Sequence, residues 1–418
     1  MKILVMGAGV VGIATAYYLW KDGHEVTVIE RQSGPGMETS FGNAGGLCPS
    51  FAGPWAAPGM VGKVLKLSLQ RNSPIRFSPI PDPVRLAWAW QWMRNCNPGR
   101  FRENKLRMQR VAHYSQACLR SLFEAEALPS FNFLDAGVLQ LFRTQAELDL
   151  GKLSAQALDE YGVPCRLLSA EEAGGTEPAL TRTSVSLSGA LHLPQDASGD
   201  SHKFARNLAF FLAERGVQFQ YDTTIRSLDR EGDAITRIHT SSGTMTAQAY
   251  VVALGPHAAG LLKPLGLRLP IYPLKGYSIT VPVSDPQFAP RMAIMDEHNK
   301  IMISRLGDRV RAAGMAELAG YNLNLNPARR DLLIRVVKEL FPLGLDWDKV
   351  DFWAGLRPMT PDGPPILGSS PWKNLFLNSG HGSNGWTQSC GTGRIVADLI
   401  SGRAPEIDMD GLTIKRFA

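Results

Sequence analysis

The spacing of apolar positions changes several times along the chain, and each change marks an expected element. Ile3 to Met6 form an unbroken apolar run, as in a strand buried on both faces. Helical spacing follows over Val10–Lys21 and stops at Asp22-Gly23. A second apolar run, Glu25–Ile29, ends at Glu30. Residues 38–59 then lose all period and fill with Gly, Pro, Ala, Ser and Thr. An amphipathic helix is expected over 200–216, with Phe204, Leu208, Phe211 and Leu212 on one face. Strands with turns at Glu231-Gly232 and Ser242-Gly243 follow it, ending in the apolar run 250–254 and Gly255. "PIYPLKGYSITVPV", "KIMISRLGDRVRAAGMAE" and "VDFWAGLRPMT" alternate as strands of a second sheet. Residues 327–341 read as a helix capped by Asn326, with Pro327 at its first position. The last helix is expected over 387–400, after a glycine-rich turn and before Gly402.

The first strand, helix and second strand enclose Gly7, Gly9 and Gly12 in a G-x-G-x-x-G spacing. The first glycine permits a tight turn, the second lets a pyrophosphate approach the backbone, and the third lets helix and strand pack closely. Val10 and Val11 open the helix, whose free N–H groups and positive dipole end suit phosphate. Glu30 can accept from a ribose hydroxyl pair and would repel a 2′-phosphate; Arg31 follows it. Glycine-rich turns alone are common, but here strand, helix, strand and terminal acid fall in order. A dinucleotide, NAD or FAD, is the implied ligand. The aperiodic stretch favours FAD, since an NAD domain would continue its strand–helix alternation there. Thr39, Ser40 and Asn43 offer polar groups, and Gly42, Gly45 and Gly46 permit close backbone approach. On composition alone the same stretch reads equally well as a surface loop.

The 418 residues exceed one ordinary core. A discontinuous nucleotide domain is expected from residues 1–82, 188–265 and 349–418, with 83–187 and 266–348 building a second domain. Lys plus Arg outnumber Asp plus Glu, 44 to 38, a net charge of +6. The excess suits an anionic ligand or surface, but no nucleic-acid motif accompanies it. The five cysteines, Cys48, Cys96, Cys118, Cys165 and Cys390, show no C-x-x-C spacing, which argues against zinc, an iron–sulfur cluster or a redox dithiol. With no metal site, secretory leader or membrane-spanning run in view, a cytoplasmic protein is expected, or one peripheral on the inner face of the cell membrane. "PGMVGKVLKLSLQR" sets Val61, Val64, Leu65 and Leu69 beside Lys63, Lys66 and Arg71. "PVRLAWAWQWMRN" sets Trp88 and Trp92 one turn apart near Arg85 and Arg94. Both suit a helix lying on an anionic membrane surface, and both also suit a buried helix or a subunit contact.

"GAGVVGIATAYYL", "ETSFGNAGG", "YPLKGYSITVP", "GMAE", "GLRPMTPDGPPILG" and "SGHGSNGWTQSCGTG" are long and rare segments. Through them the chain resembles, over essentially its whole length, the flavin-dependent D-amino-acid dehydrogenases of the small-subunit type. These sit within the larger family of glycine oxidase, sarcosine oxidase and D-amino-acid oxidase. The resemblance implies an α/β fold: a Rossmann-like FAD-binding domain, and a second domain on a mostly antiparallel mixed sheet. It implies that Arg357, in the GLRP segment, grips a substrate carboxylate. The residue alone would fit a buried ion pair as well. A planar guanidinium matches a carboxylate with two parallel bonds, and Pro358 stiffens the backbone beside it. The implied chemistry is hydride transfer from the substrate Cα to flavin N5, giving an imino acid that hydrolyses to a 2-oxo acid and ammonia. Tyr277 is a candidate to bound the pocket or bond the substrate. Gly255, Gly382, Gly385, Trp386 and Thr387 are expected at the cofactor, with His381 in the same turn. Relatives that bind flavin covalently use a cysteine in the GLRP segment; Leu356, Arg357, Pro358 and Met359 stand here, so non-covalent FAD is expected. Electrons are expected to pass to a respiratory-chain quinone or similar acceptor. The alternatives are a cyclic D-imino acid as substrate, oxygen as acceptor, or an FAD-binding assembly or regulatory protein without turnover.

Overall fold

The structure, a computed structural model, describes residues 1–68, 75–160 and 162–417. Its first sheet has six strands. Lys2–Met6 lies at the centre, paired in parallel with Glu25–Ile29 on one side and Ala249–Val252 on the other. Gln218–Gln220 and Leu375–Ser379 extend the sheet in parallel, and Ile366–Ser369 closes it antiparallel. The central strands are apolar because helices or the three-stranded sheet cover both faces. That smaller sheet is Ile225–Glu231, Ala234–Thr240 and Gly243–Met245, all antiparallel.

Two helices lie crossed against this sheet. Val10–Lys21 follows the first strand, and Gly385–Ile400 follows Leu375–Ser379. Their approach depends on glycine: a Cβ on Gly393 would lie 2.9 Å from the backbone of Ala14 and Thr15. Gly12 packs just as tightly, a Cβ there falling 2.0 Å from the Gly7 carbonyl oxygen. Both helix N-termini consequently open onto one cavity.

The second sheet has nine strands. In order they are Asp351–Met359, Tyr272–Pro282, Arg309–Leu318, Ile301–Leu306, Ala293–Asp296, Val138–Phe142, Gly189–Leu193 and Arg166–Leu168, with Ile75–Phe77 beside the end of Arg309–Leu318. Pairing is antiparallel except at Ile75–Phe77 and between Ala293–Asp296 and Val138–Phe142. One face packs on Pro327–Leu340 through Leu333, Val336, Val337 and Leu340. That helix starts as expected, the Asn326 side chain accepting from the Ala328 N–H.

Three strands of the nine-stranded sheet, Ile75–Phe77, Gly189–Leu193 and Asp351–Met359, lie inside segments expected in the nucleotide domain. Apolar alternation marks a strand but does not say which neighbour it pairs with. We propose domain limits drawn accordingly, with these three strands in the second domain.

The aperiodic stretch is held by one short antiparallel pairing, Gly46–Leu47 with Ala197–Ser198, and by side chains. Asp196 accepts from both the N–H (3.2 Å) and the hydroxyl (2.8 Å) of Ser50. Burial pushes its carboxyl up to about 7, against the opposing pull of the Ser50 bonds. A carboxyl whose folded value lies above its unfolded one stabilises the fold at low pH and loses that contribution as pH rises through the folded value. Asp196→Asn should therefore gain in melting temperature relative to wild type as pH goes from 4 to 7, and the gain should level off above about 8. Thermal melts of both proteins across that range check this; a gap that does not depend on pH would remove Asp196 as the titrating group.

Candidate active site

The cavity lies between the two sheets and has a volume of about 850 Å³. At one end the chain turns sharply at Gly7, whose φ is +104° and where a Cβ would lie 2.6 Å from the Ala253 carbonyl oxygen. No side chain with a Cβ fits there, so the backbone itself forms the wall. The helix Val10–Lys21 starts at Gly9, and the Val10 N–H bonds the Ser40 hydroxyl at 3.0 Å. The helix Gly385–Ile400 starts at Asn384 without a side-chain cap or an acid in its first turn. The first N–H groups of a helix have no partner within it, so Gly385, Trp386 and Thr387 present donors and a positive dipole end to the cavity. Trp386 is buried and anchors this start through a bond from its indole N–H to the Gly199 carbonyl (3.1 Å).

Glu30 stands at the end of the second strand, as expected. Its two oxygens accept from the N–H groups of Ala8 (2.8 Å) and Gln32 (2.9 Å). Burial pushes its pKa up, and the two amide bonds oppose the rise. Arg31 leaves the strand end to pair with Glu38 and to contact His257 (2.8 Å), whose ring stacks on Tyr321. Thr39 donates to the Leu356 carbonyl (2.7 Å), which ties the aperiodic stretch to the GLRP strand.

Nearly all the expected cofactor residues line this one cavity: Gly7, Gly9, Val10, Val11, Glu30, Arg31, Thr39, Ser40, Asn43, Gly255, Gly382, Gly385, Trp386 and Thr387. Gly12 and Gly45 do not. Gly12 serves the helix–turn contact described above. Gly45 takes a left-handed conformation (φ +89°), its N–H bonded to the Asn43 side chain, and it is Gly46 that reaches the cavity wall.

At the other end is Arg357. Its guanidinium donates to the Met315 carbonyl (2.8 Å) and reaches the Gly314 carbonyl (3.5 Å). It lies flat on Gly276, where a Cβ would fall 2.2 Å from Nη1. No carboxylate among the described residues pairs with it. Burial lowers its pKa to about 10, so it remains a cation at neutral pH. The backbone beneath it is bulged: Lys275 faces Glu317 and Tyr277 faces Gly314, so two residues, Met315 and Ala316, oppose Gly276 alone. Met315 has φ +64°, a left-handed conformation costing a residue with a Cβ about 1–2 kcal/mol.

Tyr277 and His381 both line the cavity, and their polar groups bond within the protein. Tyr277 borders the cavity, but strand alternation turns its side chain away from the Arg357 face. Its ring stacks on Phe352 and its hydroxyl donates to Glu317 at 2.7 Å, so both are engaged in the core. His381 is buried, bonds Thr392 (3.1 Å), and is pushed down to about 3 by burial, so it is neutral.

Gly276, Met315 and Trp353 were not singled out from the sequence. A signal existed for the first: a glycine inside a strand pattern points to a bulge or a close approach. Trp353 fills the space left by Gly42 and Gly355, and a Cβ on either would fall within 2.0 Å of its ring. No local pattern reveals that contact.

A cleft with two helix N-termini and an acid at the end of the second strand has the form of a dinucleotide-dependent enzyme's site. The chain belongs to the FAD-dependent oxidoreductases: the family model described as "FAD dependent oxidoreductase" matches residues 2–399. It is 47% identical over 419 residues to a D-amino acid dehydrogenase of Methylobacterium radiotolerans, covering all of both chains. It is 45% identical to a D-amino acid dehydrogenase of Bradyrhizobium diazoefficiens, covering all of this chain and 99% of the relative. Among solved structures, glycine oxidase from Geobacillus kaustophilus superposes with a TM-score of 0.76 at 23% identity, covering 99% of this chain and 98% of the other. L-proline dehydrogenase from P. horikoshii gives 0.76 at 19%, covering 100% and 97%. The cofactor is FAD, and the cavity suits it: bare glycine walls, two helix N-termini and a half-buried carboxylate acceptor.

Glu30→Arg should retain the fold and lose FAD affinity by at least about tenfold, because a hydroxyl acceptor becomes a donor-only cation. Fluorescence titration of the apoprotein with FAD measures this. Unchanged affinity would take Glu30 out of the cofactor site.

Proposed function

We propose that this chain oxidises D-amino acids to 2-oxo acids and ammonia, and that Arg357 binds the substrate carboxylate. The observation that carries the proposal is the lone cation: Arg357 faces a cofactor-sized cavity without a carboxylate partner. A guanidinium desolvated in this way leaves a vacancy for an anion, and its planar fork matches a carboxylate. The curated relatives named as D-amino acid dehydrogenases match this chain from end to end.

FAD, when bound, supplies the acceptor for the hydride that leaves the substrate Cα. The protein's own part is placement. Gly7, Gly9, Val10, Val11 and Ser40 would hold phosphate at the first helix, and Glu30 would accept from ribose. The N-terminus of Gly385–Ile400 would offer donors to the electron-accepting part of the cofactor, where negative charge develops. Arg357 would fix one end of the substrate and so limit the positions of its Cα–H, the kind of restraint that converts binding into rate. The amine must be neutral for its lone pair to drive hydride loss. His381, kept neutral by burial, adds no competing positive charge. Water then hydrolyses the released imino acid. We propose that FAD is held without a covalent bond: the cysteine lining the cavity, Cys48, is buried, and burial pushes its thiol well above the usual range.

The acceptor we propose is a quinone reached at a membrane surface. The helix Pro83–Asn95 turns Trp88 and Trp92 inward, with Trp88 donating to the Met359 carbonyl (2.8 Å). Arg85 is likewise engaged, by the carbonyls of Ser78, Ile80 and Leu318. The exposed face is a different one. Leu86, Trp90 and Met93 stand out to solvent beside Phe77, Ile80 and Val84. Lys63 and Lys66 lie on the helix Met60–Ser68, and Arg94 on Pro83–Asn95. Asp82 is occupied in capping the helix and accepting from Tyr272. Met60, Lys63, Leu67 and Ile75 join this surface to the cavity wall. Leu69 and Arg71, expected on the first of these helices, lie outside the described residues. No described helix is long and apolar enough to cross a membrane.

Arg357→Ala should keep its FAD spectrum and lose about 30- to 1000-fold in kcat/KM, the equivalent of about 2–4 kcal/mol for a desolvated bidentate contact. Lysine should recover only part of this. Anaerobic stopped-flow reduction with D-alanine decides it; reduction at the wild-type rate would return Arg357 to a structural role. Vesicles containing anionic lipid should bind the protein at low salt and release it at high salt, with Trp90→Ser weakening the binding. No binding at any ionic strength would argue against the membrane face.

A further inference from the structure

The mechanism leaves unused a buried group of charges directly behind the clamp. Glu317 receives the Tyr277 hydroxyl at 2.7 Å, the Lys275 ammonium at 3.5 Å and the Arg329 guanidinium at 3.6 Å. Lys275 is also tied to the Asn324 carbonyl and lies 4.9 Å above the Tyr277 ring. Burial first, and then Glu317, push the Tyr277 phenol up, so it stays a donor. The arrangement spans the bulge. Lys275 and Tyr277 flank Gly276 on one strand, and Glu317 lies two residues beyond Met315 on the other.

We propose that Glu317, with Tyr277 and Lys275, positions Arg357 by locking this bulge; the inference rests on the carboxylate-binding reading of Arg357. Left-handed backbone at a methionine does not persist unless its surroundings over-determine it. Here the cluster staples the strands on both sides of the extra residue. The locked bulge aims the carbonyls of Gly314 and Met315 at the guanidinium, which they hold flat on Gly276. Tyr277 thus acts on the substrate through Arg357 rather than by touching it. It is a positioning residue, and so is Glu317.

The test compares D-alanine with D-alaninamide, which keeps the amine and Cα–H but lacks the carboxylate. Tyr277→Phe and Glu317→Gln should raise KM for D-alanine by about tenfold with a much smaller change in kcat, and should leave kcat/KM for D-alaninamide within about twofold. Equal losses on the two substrates would show general structural damage and overturn the inference, as would no change on D-alanine. A second pair of variants guards against misfolding. Met315→Ile, β-branched and intolerant of positive φ, should raise KM for D-alanine well above the value for Met315→Gly, which adopts that backbone freely. The reverse order, or no difference, would also overturn the inference. If Arg357→Ala itself leaves D-alanine reduction unchanged, the clamp reading fails. If Arg357→Ala is impaired and the Glu317, Tyr277 and Met315 variants are not, only the positioning role fails.

Discussion

A guanidinium held inside the protein without a carboxylate is the constraint around which this site is built. Removing a cation from water is costly, and a pairing carboxylate in the protein would offset the cost while filling the very place an anionic substrate needs. The chain meets the constraint with neutral partners. Two backbone carbonyls solvate one side of Arg357, and a glycine without a side chain gives it a floor. The nine-stranded sheet bulges to bring those carbonyls round, and Met315 takes up the strained backbone. The sheet's other face carries the apolar core against Pro327–Leu340 together with the Glu317, Tyr277 and Lys275 cluster.

The cofactor end follows a complementary logic. Two helices pack closely because Gly393 lacks a side chain, Gly12 lets the first of them sit tight on its own turn, and their N-termini converge on one volume. Positive dipole ends and one half-buried carboxylate then divide the roles along the cavity. Anionic groups are favoured at the helices, and hydroxyls are favoured at Glu30. The aperiodic stretch connects the two ends. Thr39 reaches the GLRP strand, Ser40 reaches the first helix, and Arg311 donates to the Phe41 carbonyl.

The nucleotide half of this arrangement was legible in the sequence because its elements are local. Gly7, Gly9, Gly12 and Glu30 lie within one strand–helix–strand unit, and the bounds expected for Val10–Lys21 and Glu25–Ile29 match the structure. Pro98–Ala125, a 28-residue helix packed on Gly385–Ile400, has no counterpart among the expected elements. Its buried positions, such as Met108, Val111, Ala112 and Leu119, are scattered among arginines and glutamines and leave a weak period. Tyr277 and Trp88 show a second limit. Each suited a ligand or membrane role as well as a packed one, and each turns inward; period 2 or 3.6 groups residues by face without saying which face is the core. The bulge was less accessible still: its register depends on Glu317 meeting Tyr277 across 40 residues of chain.

The most direct test of the clamp alters its floor rather than the arginine. A methyl on Gly276 would lie 2.2 Å from Nη1 and must displace the guanidinium, while every atom of Arg357 and of the cofactor walls is retained. The measurement is a titration of the FAD-loaded Gly276→Ala variant with propionate, a carboxylate with no amine to oxidise, followed by the change in flavin absorbance. The account predicts saturable binding to the wild type and at least about tenfold weaker binding to the variant, with FAD content unchanged. Equal propionate affinity in the two proteins would contradict it, for it would place carboxylate recognition somewhere other than the guanidinium resting on Gly276.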